Sequence, residues 1–151
     1  MLLYIFTEGM EALVIGSGRV GRRKVFKLVH GGANVTVVTK EIPKGFPDKV
    51  KVIIGDGLEY ASKNISKFDI VVAATNDPLV NSKISELAIQ NKKLVNSVSG
   101  LEGCNVAFPA VIDKGSYLVG ITTGGRQPSL SKRVKKDLKR ALACVESESA
   151  P

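Results

Sequence analysis

A glycine-rich turn between an apolar run and a helix is the feature that most constrains the fold of this chain. The apolar run Leu13–Ile15 leads into a G-x-G-x-x-G pattern. In such a pattern the first glycine permits a tight turn, the second lets the backbone approach a pyrophosphate, and the third lets the helix pack closely on the sheet. The pattern predicts dinucleotide binding at the turn and at the helix amino end, by Gly16, Ser17, Gly18, Arg19, Val20 and Gly21.

Strand and helix patterns alternate through the first two thirds of the chain. Asp77 and Pro78 have the residue types of an N-cap and a first helical position. The alternation predicts an α/β fold, a Rossmann-like doubly wound parallel sheet with its ligand crevice at the carboxyl ends of the strands. After the first strand, the predicted strands are Asn34–Thr39, Val50–Ile54, Phe68–Ala74 and Leu94–Val98.

Residues at the ends of these predicted strands are the other candidate cofactor contacts. A typical NAD site has Asp or Glu at the end of the second strand, where it binds the ribose hydroxyls. Here Thr39 stands at that point, followed by Lys40 and Glu41. Thr39 or Glu41 could contact the ribose, and Lys40 could tolerate a 2′-phosphate, so NAD and NADP both stay open. The predicted contacts from strand ends are Thr39, Lys40, Glu41, Thr75, Asn76, Asp77 and Val98.

The pattern changes after residue 99. Val106–Ile112 and Ser116–Thr123 indicate two strands of a hairpin, and Ser129–Ala143 indicates an amphipathic helix. One hairpin and one helix are too small to form a core of their own, so they must pack on the sheet domain or on another subunit. We predict an NAD-binding domain over residues 1–105 and a small hairpin-plus-helix region for dimerisation and substrate binding over residues 106–151.

Charge and composition limit the classes of binding partner that the sequence predicts. The net charge is +8, from 22 basic and 14 acidic side chains, and such an excess attracts polyanions. Aromatic residues make up only 5% and no RNA-binding signature is present, so nucleic acid is not the expected partner. The sequence shows neither a long apolar span nor a signal-peptide pattern, which predicts a cytoplasmic protein without a membrane partner. One histidine and two unclustered cysteines predict no metal site.

From residue 2 to residue 143 the chain resembles the precorrin-2 dehydrogenase domain of siroheme synthases. The first half of the resemblance is generic to nucleotide-binding domains. The specific part is the Phe108-Pro109 strand, followed by the T-T-G-G-x-x-P turn over residues 122–128 and a basic helix. The matching segments are Leu13–Gly21 with Arg23-Lys24, Val35–Glu41, Val71–Pro78 with Asn81, Leu94–Val98, Phe108–Ile112 and Ile121–Pro128.

The resemblance implies NAD-dependent oxidation of precorrin-2 to sirohydrochlorin, in siroheme biosynthesis. It also implies a homodimer in which the hairpin region is exchanged between subunits. The tetrapyrrole substrate carries many carboxylates, which suits the basic excess of this chain. The substrate contacts that the resemblance implies are Asn96, Phe108, Pro109, Thr123, Gly124, Gly125 and Gln127.

Two departures from the family pattern concern the site. Ser99 stands where the family usually has an acidic residue, the proposed acid or base, and Gln127 replaces a serine of the turn. Ser99 is therefore the candidate catalytic position, although an unperturbed hydroxyl is a weak base at neutral pH. A family member that binds tetrapyrrole without oxidising it is one alternative.

The other alternative is a nucleotide-sensing regulatory Rossmann domain. Such domains share the glycine pattern, a Gly55-Asp56 type of pair after the third strand and the A-T-N-D turn that ends at Asp77. They lack the Phe108-Pro109 segment and usually keep the acidic residue at the end of the second strand. The resemblance therefore favours the dehydrogenase family.

Overall fold

The computed structural model describes residues 2–41 and 45–148 of the chain. The chain divides into two compact units, with the boundary between Val106 and Ala107. No helix among the described residues is both long and apolar enough to cross a membrane.

The first unit contains one parallel sheet of five strands. The strand order is β3-β2-β1-β4-β5, and all four pairings are parallel. This is the doubly wound order, and it confirms the predicted Rossmann-like α/β fold. The strands are β1 (Glu11–Ile15), β2 (Asn34–Thr39), β3 (Lys51–Ile54), β4 (Ile70–Ala73) and β5 (Leu94–Ser97), and the helices are α1 (Arg19–His30), α2 (Gly57–Asn64) and α3 (Pro78–Gln90).

Burial on both faces of the central strands explains their continuous apolar runs. Every residue of β4 is buried, and Leu13 and Ile15 of β1 belong to a buried cluster with Ile84 of α3. Ala12 and Val14 alternate with them and are also fully buried. Successive side chains of a strand point to opposite faces, so β1 is covered on both sides, as expected in a parallel sheet between two layers of helices.

Side-chain caps fix the start of two helices at the carboxyl edge of the sheet. Asp77 accepts hydrogen bonds from the N–H groups of Leu79 and Val80, with Pro78 in the first turn, which confirms the predicted N-cap of α3. Asp56 caps α2 in the same way. Helix α2 ends at Asn64, and a 3₁₀ turn over Ile65–Lys67 follows it.

The second unit is a hairpin followed by a long helix. Strands β6 (Ala110–Asp113) and β7 (Leu118–Ile121) pair antiparallel, as the hairpin signal predicted. Ile112 of β6 is buried. Helix α4 spans Pro128–Glu148, so it extends beyond residue 143, where the predicted helix ended.

The apolar residues Leu2–Phe6 could by their composition add an edge segment, but they adopt no regular secondary structure. Their side chains are exposed, and the rings of Tyr4 and Phe6 pack edge to face with centroids 5.1 Å apart. Residues 7–10 separate this segment from β1, and the segment is not part of the five-stranded sheet.

Candidate functional site

A cavity opens at the carboxyl ends of β1, β2, β3 and β4 in the first unit. Its volume is about 400 Å³. It lies at the edge where a doubly wound sheet binds its ligands, and it brings together nine of the thirteen predicted cofactor contacts. Its lining is Ile15, Gly16, Ser17, Gly18, Val38, Thr39, Lys40, Glu41, Gly55, Asp56, Gly57, Ala74, Thr75, Asn76, Asp77 and Val80.

Glycine occupies positions 16 and 18 for different structural reasons. Gly16 has a φ of +102°, and a Cβ there would run into the backbone carbonyl of Ala74, so the fold itself requires glycine. Gly18 has a φ of −62°, and a Cβ there would meet nothing within 4 Å. The fold therefore does not demand glycine at position 18, and the open space lies on the wall of the cavity. That arrangement fits a pyrophosphate that approaches the backbone.

The amino end of α1 suits an anion. Gly18 is its N-cap and supplies no side-chain hydrogen bond, and the first turn contains no acidic residue. The first N–H groups of a helix have no partner within it, and they carry the positive end of the helix dipole. A phosphate bound beside Gly18 would therefore find backbone donors and a favourable electrostatic potential.

The hydroxyl of Thr39 forms a hydrogen bond within the protein. Thr39 is only 7% exposed, and its Oγ1 lies 2.8 Å from Ser17 Oγ, so the two hydroxyls share a hydrogen bond. This bond joins the glycine turn to the end of β2. Lys40 and Glu41 follow at the rim of the cavity, where both are exposed.

A hydrogen-bonded network holds the residues that follow β4 and β5. Asn81 is fully buried, and its Oδ1 accepts from the N–H and the hydroxyl of Thr75 at 3.0 and 2.7 Å. Its Nδ2 donates to the Thr75 carbonyl at 3.1 Å and to Ser99 Oγ at 2.8 Å. Asn81 thereby links the wall of the cavity to the candidate catalytic position.

Four predicted cofactor contacts lie outside the described lining of the cavity: Arg19, Val20, Gly21 and Val98. Arg19 and Val20 form the first turn of α1. Gly21 packs so closely on the Gly16 carbonyl that a Cβ would clash, which is the close helix packing predicted for the third glycine. Val98 follows β5 and donates its N–H to the Ala73 carbonyl at 3.0 Å.

The predicted substrate contacts are divided between the two units. Asn96 of β5 is 7% exposed, and its Nδ2 donates to the Val106 carbonyl, whereas its buried Oδ1 has no hydrogen-bond partner among the described residues. In the second unit, Phe108 and Pro109 precede β6. The remaining contacts, Thr123, Gly124, Gly125 and Gln127, form the turn before α4, in which Thr123 Oγ1 accepts from the Gln127 N–H at 3.0 Å.

A family model described as "Putative NAD(P)-binding" matches residues 3–110 of the chain. The chain belongs to this family.

Among curated proteins, this NAD(P)-binding family member is similar to siroheme synthases. The siroheme synthase of Azotobacter vinelandii is 33% identical over 85% of this chain and 28% of its own length. That of Buchnera aphidicola is 32% identical over 93% of this chain and 30% of its own length. The chain thus spans about three tenths of the curated relatives it matches.

Among solved structures, the family member is similar to one titled "SirC, precorrin-2 dehydrogenase". The TM-score is 0.77 at 26% identity, over 93% of this chain and 70% of that one. Together with the curated relatives, this match confirms the resemblance predicted from the sequence.

Seven residues of the cavity lining in this NAD(P)-binding unit were not among the predicted contacts, and three of them form one consecutive run: Gly55, Asp56 and Gly57. They follow β3, whose last residue pairs with the last residue of β2. The signal was available, because a Gly-Asp-Gly run at a predicted strand end lies at the crevice edge of a parallel sheet. In the sequence analysis above, the Gly55-Asp56 pair serves only as a feature shared with nucleotide-sensing domains.

Proposed function

We propose that this chain is an NAD-dependent dehydrogenase that oxidises precorrin-2 to sirohydrochlorin. The observation that carries the proposal is Gly18, an open position at the start of α1 on the wall of the cavity. The similarity to siroheme synthases and to a precorrin-2 dehydrogenase supports the choice of substrate.

The residues that would hold NAD lie along the carboxyl edge of the sheet. The turn Gly16–Gly18 and the first turn of α1 would bind the pyrophosphate. The ends of β2 and β4, at Thr39–Glu41 and Thr75–Asp77, would contact the rest of the dinucleotide. Bound NAD supplies a hydride acceptor, and oxidation of precorrin-2 gives up one hydride and one proton. The protein contributes by holding the two reactants close together and aligned.

Ser99 would line the part of the site that binds the substrate, without acting as a strong base. Its Oγ accepts a hydrogen bond from Asn81, which fixes the position of the hydroxyl but does not make it basic. The proton would pass to water, to a substrate carboxylate or to a protein carboxylate such as Glu102 or Asp113. Asn96, with its buried unpartnered Oδ1, offers an acceptor for a substrate N–H group.

An acidic tetrapyrrole fits the charge of the second unit. Within residues 132–140 of α4, one acid, Asp137, stands among six basic residues that would attract its carboxylates: Lys132, Arg133, Lys135, Lys136, Lys139 and Arg140. The turn before this helix, with Phe108 and Pro109, would complete the substrate contacts.

A homodimer and a cytoplasmic location complete the proposal. Helix α4 has an apolar side that includes Val134. This side chain is 39% exposed in the chain, so a second copy would cover it. Cys104 is a free thiol, and thiols are kept reduced in the cytoplasm.

One observation favours a second candidate, a family member that binds tetrapyrrole without oxidising it. Ser99 offers a hydroxyl where relatives are expected to have a carboxylate, and that hydroxyl is tied to Asn81. Turnover separates the two candidates, since both would bind the tetrapyrrole.

The experiment is an anaerobic assay of precorrin-2 with NAD and, separately, with NADP. We expect sirohydrochlorin to form, as measured by its absorbance, together with one NADH for each molecule of product. The Gly18→Val variant, which should not bind cofactor, is the matched control for spontaneous oxidation. Tetrapyrrole binding without turnover would contradict the dehydrogenase and favour the non-catalytic binder.

A further inference from the structure

An acidic side chain reaches the end of β2 from the neighbouring strand. Thr39 of β2 pairs with Ile54 of β3, and the Gly55 N–H donates to the Thr39 carbonyl at 2.9 Å. Asp56 is the next residue, and it lines the cavity beside Lys40. The carboxylate that β2 lacks is therefore supplied one strand further along the sheet.

The two oxygens of Asp56 have different surroundings. Oδ1 accepts from the N–H groups of Leu58 and Glu59, both at 3.0 Å, and these two hydrogen bonds fix the carboxylate. Oδ2 lies 3.7 Å from Lys40 Nζ. The Asp56 side chain is 48% exposed and that of Lys40 is 80% exposed, so a ligand in the cavity can reach both.

Capping alone does not account for this arrangement. An N-cap needs one oxygen acceptor, and Asn or Ser serves about as well as Asp. A cap has no need of a second oxygen beside a cation at the edge of a cavity. The ion pair is too exposed to be a strong stabilising contact, because such pairs typically contribute little to folding.

We propose that Asp56 accepts hydrogen bonds from the adenosine ribose hydroxyls and, by pairing with Lys40, makes the site select NAD over NADP. This inference rests on the proposed dinucleotide function of the cavity. A 2′-phosphate would bring negative charge against the carboxylate, and Lys40 would have to leave Asp56 in order to neutralise it. Asp56, which follows β3, is thus the counterpart of the acidic residue usually found at the end of β2.

The ionisation of Asp56 agrees with this role. The pKa of its carboxyl is lowered from the ordinary value of 3.8, chiefly by the hydrogen bond from the Glu59 N–H, with further lowering by Leu58 and Lys40. The group is charged at neutral pH, and a charged carboxylate accepts stronger hydrogen bonds from ribose hydroxyls than a neutral oxygen does.

The test compares NAD and NADP binding by calorimetry in four forms of the full chain: wild type, Asp56→Asn, Asp56→Asn with Lys40→Gln, and Glu59→Gln. Asn keeps the helix cap, so Asp56→Asn removes the charge and leaves α2 intact. Glu59→Gln makes the same chemical change on an exposed residue of α2 that pairs with Lys63 and is not part of the cavity lining.

We expect wild type and Glu59→Gln to prefer NAD. Asp56→Asn should lose about tenfold or more in NAD affinity, as expected for hydrogen bonds to a charged group. It should gain affinity for NADP, and the added Lys40→Gln change should abolish that gain. An Asp56→Asn variant that binds NAD as wild type does, with an unchanged preference, would overturn this inference and leave the dehydrogenase intact. Wild type that binds neither dinucleotide would overturn both.

Discussion

Asn81 donates a hydrogen bond to Ser99 across 2.8 Å, although the residues are 18 positions apart and belong to different elements. The donor is fully buried and the acceptor is exposed. Since the same Asn81 also holds Thr75 on the wall of the cavity, one buried amide sets the positions of two candidate site residues.

This contact allows a prediction about catalysis. Ser99→Ala should keep most dehydrogenase activity, because the hydroxyl is not the base, and should cost about 1 kcal/mol of stability through the lost hydrogen bond. Ser99→Asp should keep the Asn81 contact, since a carboxylate also accepts. It should raise the rate of sirohydrochlorin formation, by up to about 10²–10⁴-fold if the carboxylate is placed as a general base.

The three proteins should be compared at NAD saturation, with chemical denaturation as the stability measurement. An inactive Ser99→Ala variant that still binds NAD and tetrapyrrole would show that the hydroxyl is essential. An inactive wild type rescued by Ser99→Asp would instead support the non-catalytic binder.

A second prediction concerns the glycine turn, where substitutions of Gly16 and Gly18 should have different effects. Gly18→Val should leave the fold intact and abolish NAD binding, because its side chain would enter the open space of the cavity. Gly16→Ala should destabilise the fold by about 1–3 kcal/mol or more, because its Cβ would meet the Ala74 carbonyl. Calorimetry and thermal unfolding on both variants separate the effects. Unchanged NAD affinity in Gly18→Val would contradict the pyrophosphate assignment.

The helix of the second unit gives a prediction about assembly. Sedimentation at micromolar concentration should show a homodimer, built through residues 106–143. Val134→Gln should raise its dissociation constant about tenfold or more, since each subunit loses the burial of one apolar side chain. Lys136→Gln, on an exposed position of the same helix, is the matched control and should leave the dimer unchanged. A stable wild-type monomer would contradict the proposal.

Lys24 gives a prediction about pH. Burial lowers the pKa of this lysine from 10.5 to about 8, with smaller contributions from Lys27 and Arg23. Between about pH 8 and 10.5 the unfolded chain therefore binds a proton that the folded chain has released, so stability rises with pH. The cost of burying the charge is fully present below about pH 8.

Lys24→Met keeps the aliphatic stem and removes the titrating group. Its urea midpoint should exceed that of wild type at pH 7, and the difference should shrink as the pH rises to 10. A difference that stays constant across this range would show that Lys24 titrates normally in the folded chain.

The sequence alone determined the architecture and the position of the glycine turn. Local pattern sufficed there, because the run Leu13–Ile15 can bury both faces only in a covered sheet, and because Gly16 permits the positive φ of a tight turn. Asp77 and Pro78 likewise marked the start of α3 through properties of their own side chains. The family motifs after residue 105 could also be identified from the sequence, since each of them consists of consecutive residues.

Only the tertiary structure decided which side chains meet. Asp56 reaches Lys40 because β3 lies beside β2, and Asn81 reaches Ser99 because α3 lies beside the end of β5. The hydroxyl of Thr39 meets that of Ser17 because the end of β2 lies beside the glycine turn. Such contacts depend on strand order and register, which bring distant residues within hydrogen-bond reach, and no local spacing encodes them.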